Sequence, residues 1–166
     1  MLYEDECGPL NSKTQLTKSW SPVGKPRKVE GNTPNVGSIN LFGAYDYRTG
    51  EVFYKFTKKK NSYEFKRFLT RLLFRFKGRK IYLILDNARY HTSREVQAWL
   101  AKQEGKIEFV FLPKQSPWLN PIEPVWEDFK NDRIRNHHFT SMRQIISESR
   151  GYFKQRRQRA VQMVAA

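Results

Sequence analysis

Hydrophobic positions along this chain of 166 residues repeat with two periods, and the switches between them mark out the elements. Ile39 to Tyr45 and Val52 to Phe56 are β-rich runs separated by six polar or turn-forming residues, the pattern of a hairpin. Asp46 then falls in the turn, where its carboxylate is expected to hold the local backbone. Phe65, Phe68, Leu69, Leu72, Leu73 and Phe76 follow helical spacing behind Asn61 or Ser62 as the cap, and Lys66, Arg67, Arg71 and Arg75 form the opposite face. Ile81 to Leu85 is almost continuously apolar, as in a strand covered on both faces, and Asp86-Asn87 stands at its carboxyl end. Thr92 to Glu95 reads as a capping box opening a helix with Val96, Trp99 and Leu100 inside and Gly105 as its stop. Ile107 to Leu112 is the next expected buried strand. After the proline-set loop Leu112-Pro113-Lys114-Gln115-Ser116-Pro117, Asn120 is expected to cap a helix with Pro121 as its first residue and Glu123 at its third. Ile122, Val125, Trp126 and Phe129 form its apolar stripe. A last, basic helix (140–166) buries Met142, Ile145, Ile146 and Phe153 and ends among Lys154, Arg156, Arg157 and Arg159.

Ahead of the hairpin the pattern is sparser. Leu2 to Cys7 can form a short strand that Gly8-Pro9 is expected to break. Residues 9–37 then hold four prolines (Pro9, Pro22, Pro26, Pro34) and five basic residues (Lys13, Lys18, Lys25, Arg27, Lys28), with Trp20 as the one large apolar anchor. So long a connection in a compact domain points to a DNA or subunit contact. The order strand, loop, hairpin, helix, strand, helix, strand, helix, helix predicts an α/β fold with a mixed five-stranded sheet. Three antiparallel strands come first, and each later strand returns through a right-handed helical crossover that makes it parallel.

Length and composition fit one domain: 39% of residues are hydrophobic and 14% aromatic, ample for a core. The single cysteine, Cys7, excludes an internal disulfide framework and a multi-cysteine zinc site. No apolar run approaches a membrane span, and the acidic start, Met1 to Glu6, is unlike a signal peptide, so the chain reads as soluble and cytoplasmic. Charge changes the picture most. Thirty-one Lys and Arg against 16 Asp and Glu give a net charge of +15 spread along the chain, which suits a polyanion and a strongly salt-dependent hold on DNA. Lys58, Lys59, Lys60, Arg133 and Arg135 are candidates for contacts to phosphates.

Against that basic background three acids stand out. Asp86 ends a buried strand, where open α/β sheets build their sites, Glu123 begins a helix, and Asp5 lies in the first strand. If the strands carrying Asp5 and Asp86 are neighbours, both acids project at one edge of the sheet and the Glu123 helix can bring the third. A structural alternative exists for Glu123, which at that helix position can fold back onto the cap's backbone amide. Glu4 and Glu6 compete with Asp5, but alternation sets them on the opposite face, so only one set can join the other acids. Carboxylates converging at low dielectric repel one another without cations between them, and an all-oxygen donor set suits two Mg²⁺ or Mn²⁺ ions.

These residues carry a resemblance. Leu85-Asp86-Asn87 with His91 close behind, then Leu112-Pro113, Ser116-Pro117, Leu119-Asn120-Pro121-Ile122-Glu123 and Trp126, resemble the catalytic domain of the mariner-like DDE transposases and the related bacterial insertion-sequence transposases. Asp5-Glu6 resembles that family's first catalytic strand, and Trp20-Ser21-Pro22-Val23-Gly24 the segment after it. Between Asp86 and Glu123 lie 36 residues, close to the family's usual interval. The resemblance implies an RNase H-like fold in which Asp5, Asp86 and Glu123 ligate two Mg²⁺ ions, and a homodimer that nicks double-stranded DNA at an element's ends and joins the 3′ hydroxyl to a TA target at the prokaryotic nucleoid. Asn87, His91, Lys114, Trp118 and Asn120 would sit near the metals or the DNA. His91 is expected to order the turn after Asp86 rather than ligate metal, and Trp118 to anchor its loop or, if exposed, to stack on an unpaired base. The family's helix-turn-helix modules are expected to be missing, since only four residues precede Asp5. That suggests the second frame of a split transposase, or a fragment that regulates transposition.

Overall fold

The computed structural model describes residues 1–26, 28–30, 37–114 and 116–165, and the side chains among them up to residue 162. Arg27 and Pro34 of the basic connection and Gln115 of the proline-set loop lie outside the described residues. The elements are β1 (Leu2–Asn11), β2 (Ser38–Asp46), β3 (Glu51–Thr57), α1 (Ser62–Arg75), β4 (Ile81–Leu85), α2 (Arg94–Ala101), β5 (Ile107–Phe111), α3 (Ile122–Phe129) and α4 (Met142–Ala165). A single 3₁₀ turn, Pro117–Leu119, leads into α3, and a π-turn, Lys130–Ile134, leaves it.

The sheet runs β3-β2-β1-β4-β5. β1, β2 and β3 pair antiparallel, whereas β4 and β5 run parallel to β1, as the connections require. One face is closed by α1 and α2, where Phe42, Phe65, Phe68, Leu69, Leu83 and Leu85 form the core. Each of the four buried residues of α1 contributes roughly 1.5–3 kcal/mol of burial. On the other face α3 and α4 cover Cys7, Leu10 and Leu41 with Ile122, Trp126, Phe129, Ile145 and Phe153. The hairpin turn is held as its sequence implies, with Asp46 Oδ1 accepting from the Arg48 amide at 3.0 Å. Asn61 caps α1, accepting from Glu64 N at 2.9 Å.

Several expectations need correction. Gly8-Pro9 does not end the first strand. Pairing with β2 resumes after a bulge between Cys7 and Leu10, and Gly8, with a φ of 126°, supplies the conformation the bulge needs. The connection therefore begins at Ser12, and Trp20 within it is fully exposed, so it anchors nothing. The cap of α2 is Ser93 rather than Thr92, and Glu95 turns to Lys66 at 3.0 Å instead of closing a capping box. β5 is an edge strand: Val110 and Phe111 are exposed, as is Tyr82 beside it on β4, because α3 and α4 pack over the β1–β3 side.

Candidate active site

The parallel register of β1 and β4 is what brings the first two acids together. Leu2 lies level with Leu83 and Tyr3 with Ile84, and the same offset sets Asp5 level with Asp86. β1 separates its acids by face. Glu4 is buried toward the α1 side, whereas Asp5 opens onto a cleft of about 430 Å³ whose lining includes Asp86, Asn87, Lys114, Ser116, Asn120 and Glu123. Of the alternatives for the first acid, alternation therefore puts Asp5 with the other two.

The third acid arrives on α3, and two contacts fix that helix against the central strands. Asn120 is buried and donates its amide to the carbonyl of Glu4 at 2.9 Å, so the residue expected to cap the helix and to lie near the metals or the DNA ties the helix to β1. The regular helix begins at Ile122, one residue later than expected, with Pro121 leading in and Glu123 in the first turn. Trp126 lies directly over Gly43, the residue of β2 that pairs with Asp5. A Cβ on Gly43 would come within 2.4 Å of the indole ring. Glu123 does not close back on the cap, because the Asn120 amide already donates to Pro117 O at 2.9 Å.

Behind Asp86 sits His91, buried to 1% exposure between the rings of Phe65 and Tyr90. Its Nδ1 lies 3.1 Å from the Asp86 carbonyl oxygen and 3.0 Å from Asp86 Oδ1, which also accepts from the Ala88 amide at 2.8 Å. Nε2 faces Glu4 and Glu6, each at 3.4 Å. His91 thus orders the turn after Asp86. Its link to the two strand glutamates was not foreseen, although acids two apart on a buried strand are a signal that a cation must face them. Among the described residues, Glu4, Glu6 and His91 are the one group whose donors lie within 4.8 Å of one another, close enough to share a single divalent cation. Asp5, Asp86 and Glu123 share the lining of the cleft on the other face of β1.

Electrostatics separate these acids. Burial, with the charges of Glu123, Glu6 and Asp86 adding to it, pushes the Asp5 carboxyl up to about 7. The hydrogen bond from His91 holds Asp86 below its ordinary value against partial burial. Burial raises Glu4 well above the usual carboxylate range despite the opposing charge of His91. Burial alone would lower His91, but Glu4, Asp86 and Glu6 outweigh it and raise the imidazole to about 10.

The remaining candidates divide. Asn87 donates to the Leu112 carbonyl at 2.7 Å, tying the end of β4 to the chain leaving β5. Lys58, Lys59 and Lys60 form the exposed connection from β3 to α1, and Lys60 lies 4.0 Å from Glu6. Trp118 is 76% exposed on the 3₁₀ turn and does not anchor its loop, while Trp126 is buried. Arg133 and Arg135 are away from the cleft and already engaged. Arg133 meets Asp132, Glu148 and Gln155, and Arg135 meets Glu127 and Asn131.

A mixed five-stranded sheet whose central strand, parallel neighbour and following helix each bring an acid to one cleft is an RNase H-like arrangement. The chain belongs to the DDE superfamily endonucleases, whose family profile matches residues 1–146. It is 32% identical over 156 residues to the insertion element IS630 39 kDa protein of Shigella sonnei, covering 93% of this chain and 44% of that protein. Over 53 residues it is 40% identical to the Tc1 transposase of Caenorhabditis elegans, covering 32% of this chain and 19% of the transposase. The fold is that of the Mos1 transposase in its paired-end complex with the left transposon end, with a TM-score of 0.67 at 21% identity over 92% of this chain and 47% of that one. The isolated catalytic domain of Mos1 gives a TM-score of 0.63 at 16% identity, over 92% of this chain and 69% of that domain. The chain thus spans less than half the length of the curated Shigella relative.

Proposed function

We propose that this chain is the catalytic part of a DNA transposase, cutting double-stranded DNA at the ends of an insertion element and joining the 3′ hydroxyl to a target. The observation that carries the reading is the convergence of Asp5, Asp86 and Glu123 on one cleft of an otherwise basic protein. Their donor chemistry fits hard divalent cations: three carboxylates with no sulfur, repelling one another in a partly buried site. Asp5, Asp86 and Glu123 would hold two Mg²⁺ or Mn²⁺ ions. Bound there, the ions would supply an activated water or 3′ hydroxyl and stabilise the leaving oxygen.

The chain's own residues supply order around that chemistry. Asp86 is oriented by His91 and by the Ala88 amide, so it does not reorganise when charge develops beside it. Asn120 and Trp126 hold Glu123 to the strand that carries Asp5. In the same reading Lys114 in the cleft lining and the exposed Lys58, Lys59 and Lys60 would track phosphates. Trp118, exposed on its turn, would stack on an unpaired base. Arg133 and Arg135, engaged with local partners, are assigned to holding the α3–α4 junction rather than to DNA. A homodimer acting on a TA target at the bacterial nucleoid completes the reading, of which the Shigella relative supports the bacterial setting alone.

The test is joining of a labelled oligonucleotide with a free 3′ hydroxyl to plasmid DNA in Mn²⁺. The reading expects a covalent product that Asp86→Asn abolishes. DNA binding without joining, equal in wild type and Asp86→Asn, would instead identify a fragment that regulates a longer transposase.

A further inference from the structure

The group Glu4, Glu6 and His91 lies on the face of β1 opposite the cleft, and the chemistry just described draws only on the contact of His91 with Asp86, not on the two glutamates. Its burial is extreme. Glu4 is 1% exposed, His91 is 1% exposed, and neither Glu4 carboxylate oxygen nor His91 Nε2 has a hydrogen-bond partner. Groups so buried stay only where opposite charges face one another, and Nε2 at 3.4 Å from both glutamates meets that condition. The other ring nitrogen is committed to Asp86, through its carbonyl and its Oδ1. One imidazole therefore spans the sheet edge from the back of β1 to the acid at the end of β4.

We propose that His91 is a positioning residue for Asp86, clamped from behind by Glu4 and Glu6. β1 would then set two acids at once: Asp5 directly on one face, and Asp86 through His91 on the other. This rests on the cleft being a metal site, and it adds a reason for the dipeptide Asp5-Glu6 and for the spacing of Asp86 and His91. A carboxylate held at one oxygen by a fixed imidazole presents its other oxygen in a defined direction. Loss of such an outer hydrogen bond weakens metal binding about 10–100-fold in comparable sites.

The experiment is titration of the full chain with Mn²⁺ alone, following bound ion by calorimetry and thermal stability in parallel. His91→Ala is expected to weaken Mn²⁺ binding about 10-fold or more. His91→Asn keeps a donor at the position of Nδ1 and loses the group that faces Glu4 and Glu6. It is expected to recover most of the Mn²⁺ affinity while its Tm stays low, separating the two ends of the imidazole. A purely structural histidine would move affinity and Tm together, and that result overturns the proposal. So does wild-type Mn²⁺ affinity in His91→Ala. If Glu6→Gln removes an ion that Asp86→Asn retains, Glu4, Glu6 and His91 are themselves the ion site and the proposal also fails. Asp86→Asn and Glu123→Gln identify the other failure: should neither alter Mn²⁺ binding, the metal assignment of the cleft falls, and the positioning role with it.

Discussion

Glu4 and Asp5 are adjacent in the chain, yet one is sealed against α1 and the other opens on the cleft. The difference is strand alternation and nothing more, and burial raises the proton affinity of both. Asp5 in the metal-free fold binds its proton up to about pH 7, whereas its ordinary value is 3.8. The folded state thus holds a proton that the unfolded chain has lost, so this group's contribution to stability falls as pH rises from about 4 through 7. His91 runs the same way, over a higher pH range. Raised from 6.5 to about 10, it contributes fully below pH 6.5, and that contribution is lost as pH rises through 10. Thermal melts of metal-free wild type and Asp5→Asn at pH 5 and pH 8 check the first statement. The variant is expected to gain Tm relative to wild type at pH 8 and little at pH 5. Equal differences at both values would show that Asp5 is not carrying the change. A second residue-level prediction concerns Lys55, 6% exposed and paired with Glu64, whose carboxyl the hydrogen bond from Lys55 holds below its ordinary value. Glu64→Gln leaves that ammonium buried without its partner and should lower unfolding stability in urea by about 3 kcal/mol.

At the level of elements, α3 is seated by what β2 lacks. Gly43 pairs with Asp5 and leaves the space that the Trp126 ring fills. Gly43→Ala must push that ring away, and with it the helix that carries Glu123. Denaturant unfolding should show a loss of about 1–3 kcal/mol, the usual cost of overpacking a core. DNA cleavage should fall more than the remaining folded fraction explains. Much of this scale was legible in the sequence, because periodicity reports burial directly. The stripe of Ile122, Val125, Trp126 and Phe129 and the core face of α1 stand as their spacing implied. What was not legible depended on neighbours in space. Gly8-Pro9 reads locally as a break, but β2 keeps pairing beyond it. Ile107 to Phe111 is apolar enough for a central strand, and only the strand order shows that it forms the edge. Asn120 looks like a cap, and its bond to Glu4 links residues 116 apart. The candidate site followed the same division. Asp5, Asp86 and Glu123 could be picked out by their positions on elements, whereas the pairing of His91 with Glu4 and Glu6 needed the register of β1 against β4.

Across the whole molecule, a net charge of +15 coexists with a cleft whose own acids repel one another. In the proposed reading the basic surface holds DNA and the acids of the cleft await cations, so binding and chemistry should depend on different ions. DNA affinity, measured by anisotropy, is expected to fall about a thousandfold between 50 and 200 mM salt if roughly six phosphates are engaged. Asp86→Asn should leave that slope unchanged. A weak salt dependence would mean that the charge serves another purpose. No described helix is long and apolar enough to cross a membrane. The central claim, that Asp5, Asp86 and Glu123 form one metal-dependent nuclease centre, is tested most directly by nicking of supercoiled plasmid in Mn²⁺. Wild type is compared with Asp5→Asn, Asp86→Asn and Glu123→Gln at matched folded concentration. The account predicts nicked circles from wild type that vanish with chelator, and a loss of at least a hundredfold in every variant. Nicking that survives all three substitutions would contradict it.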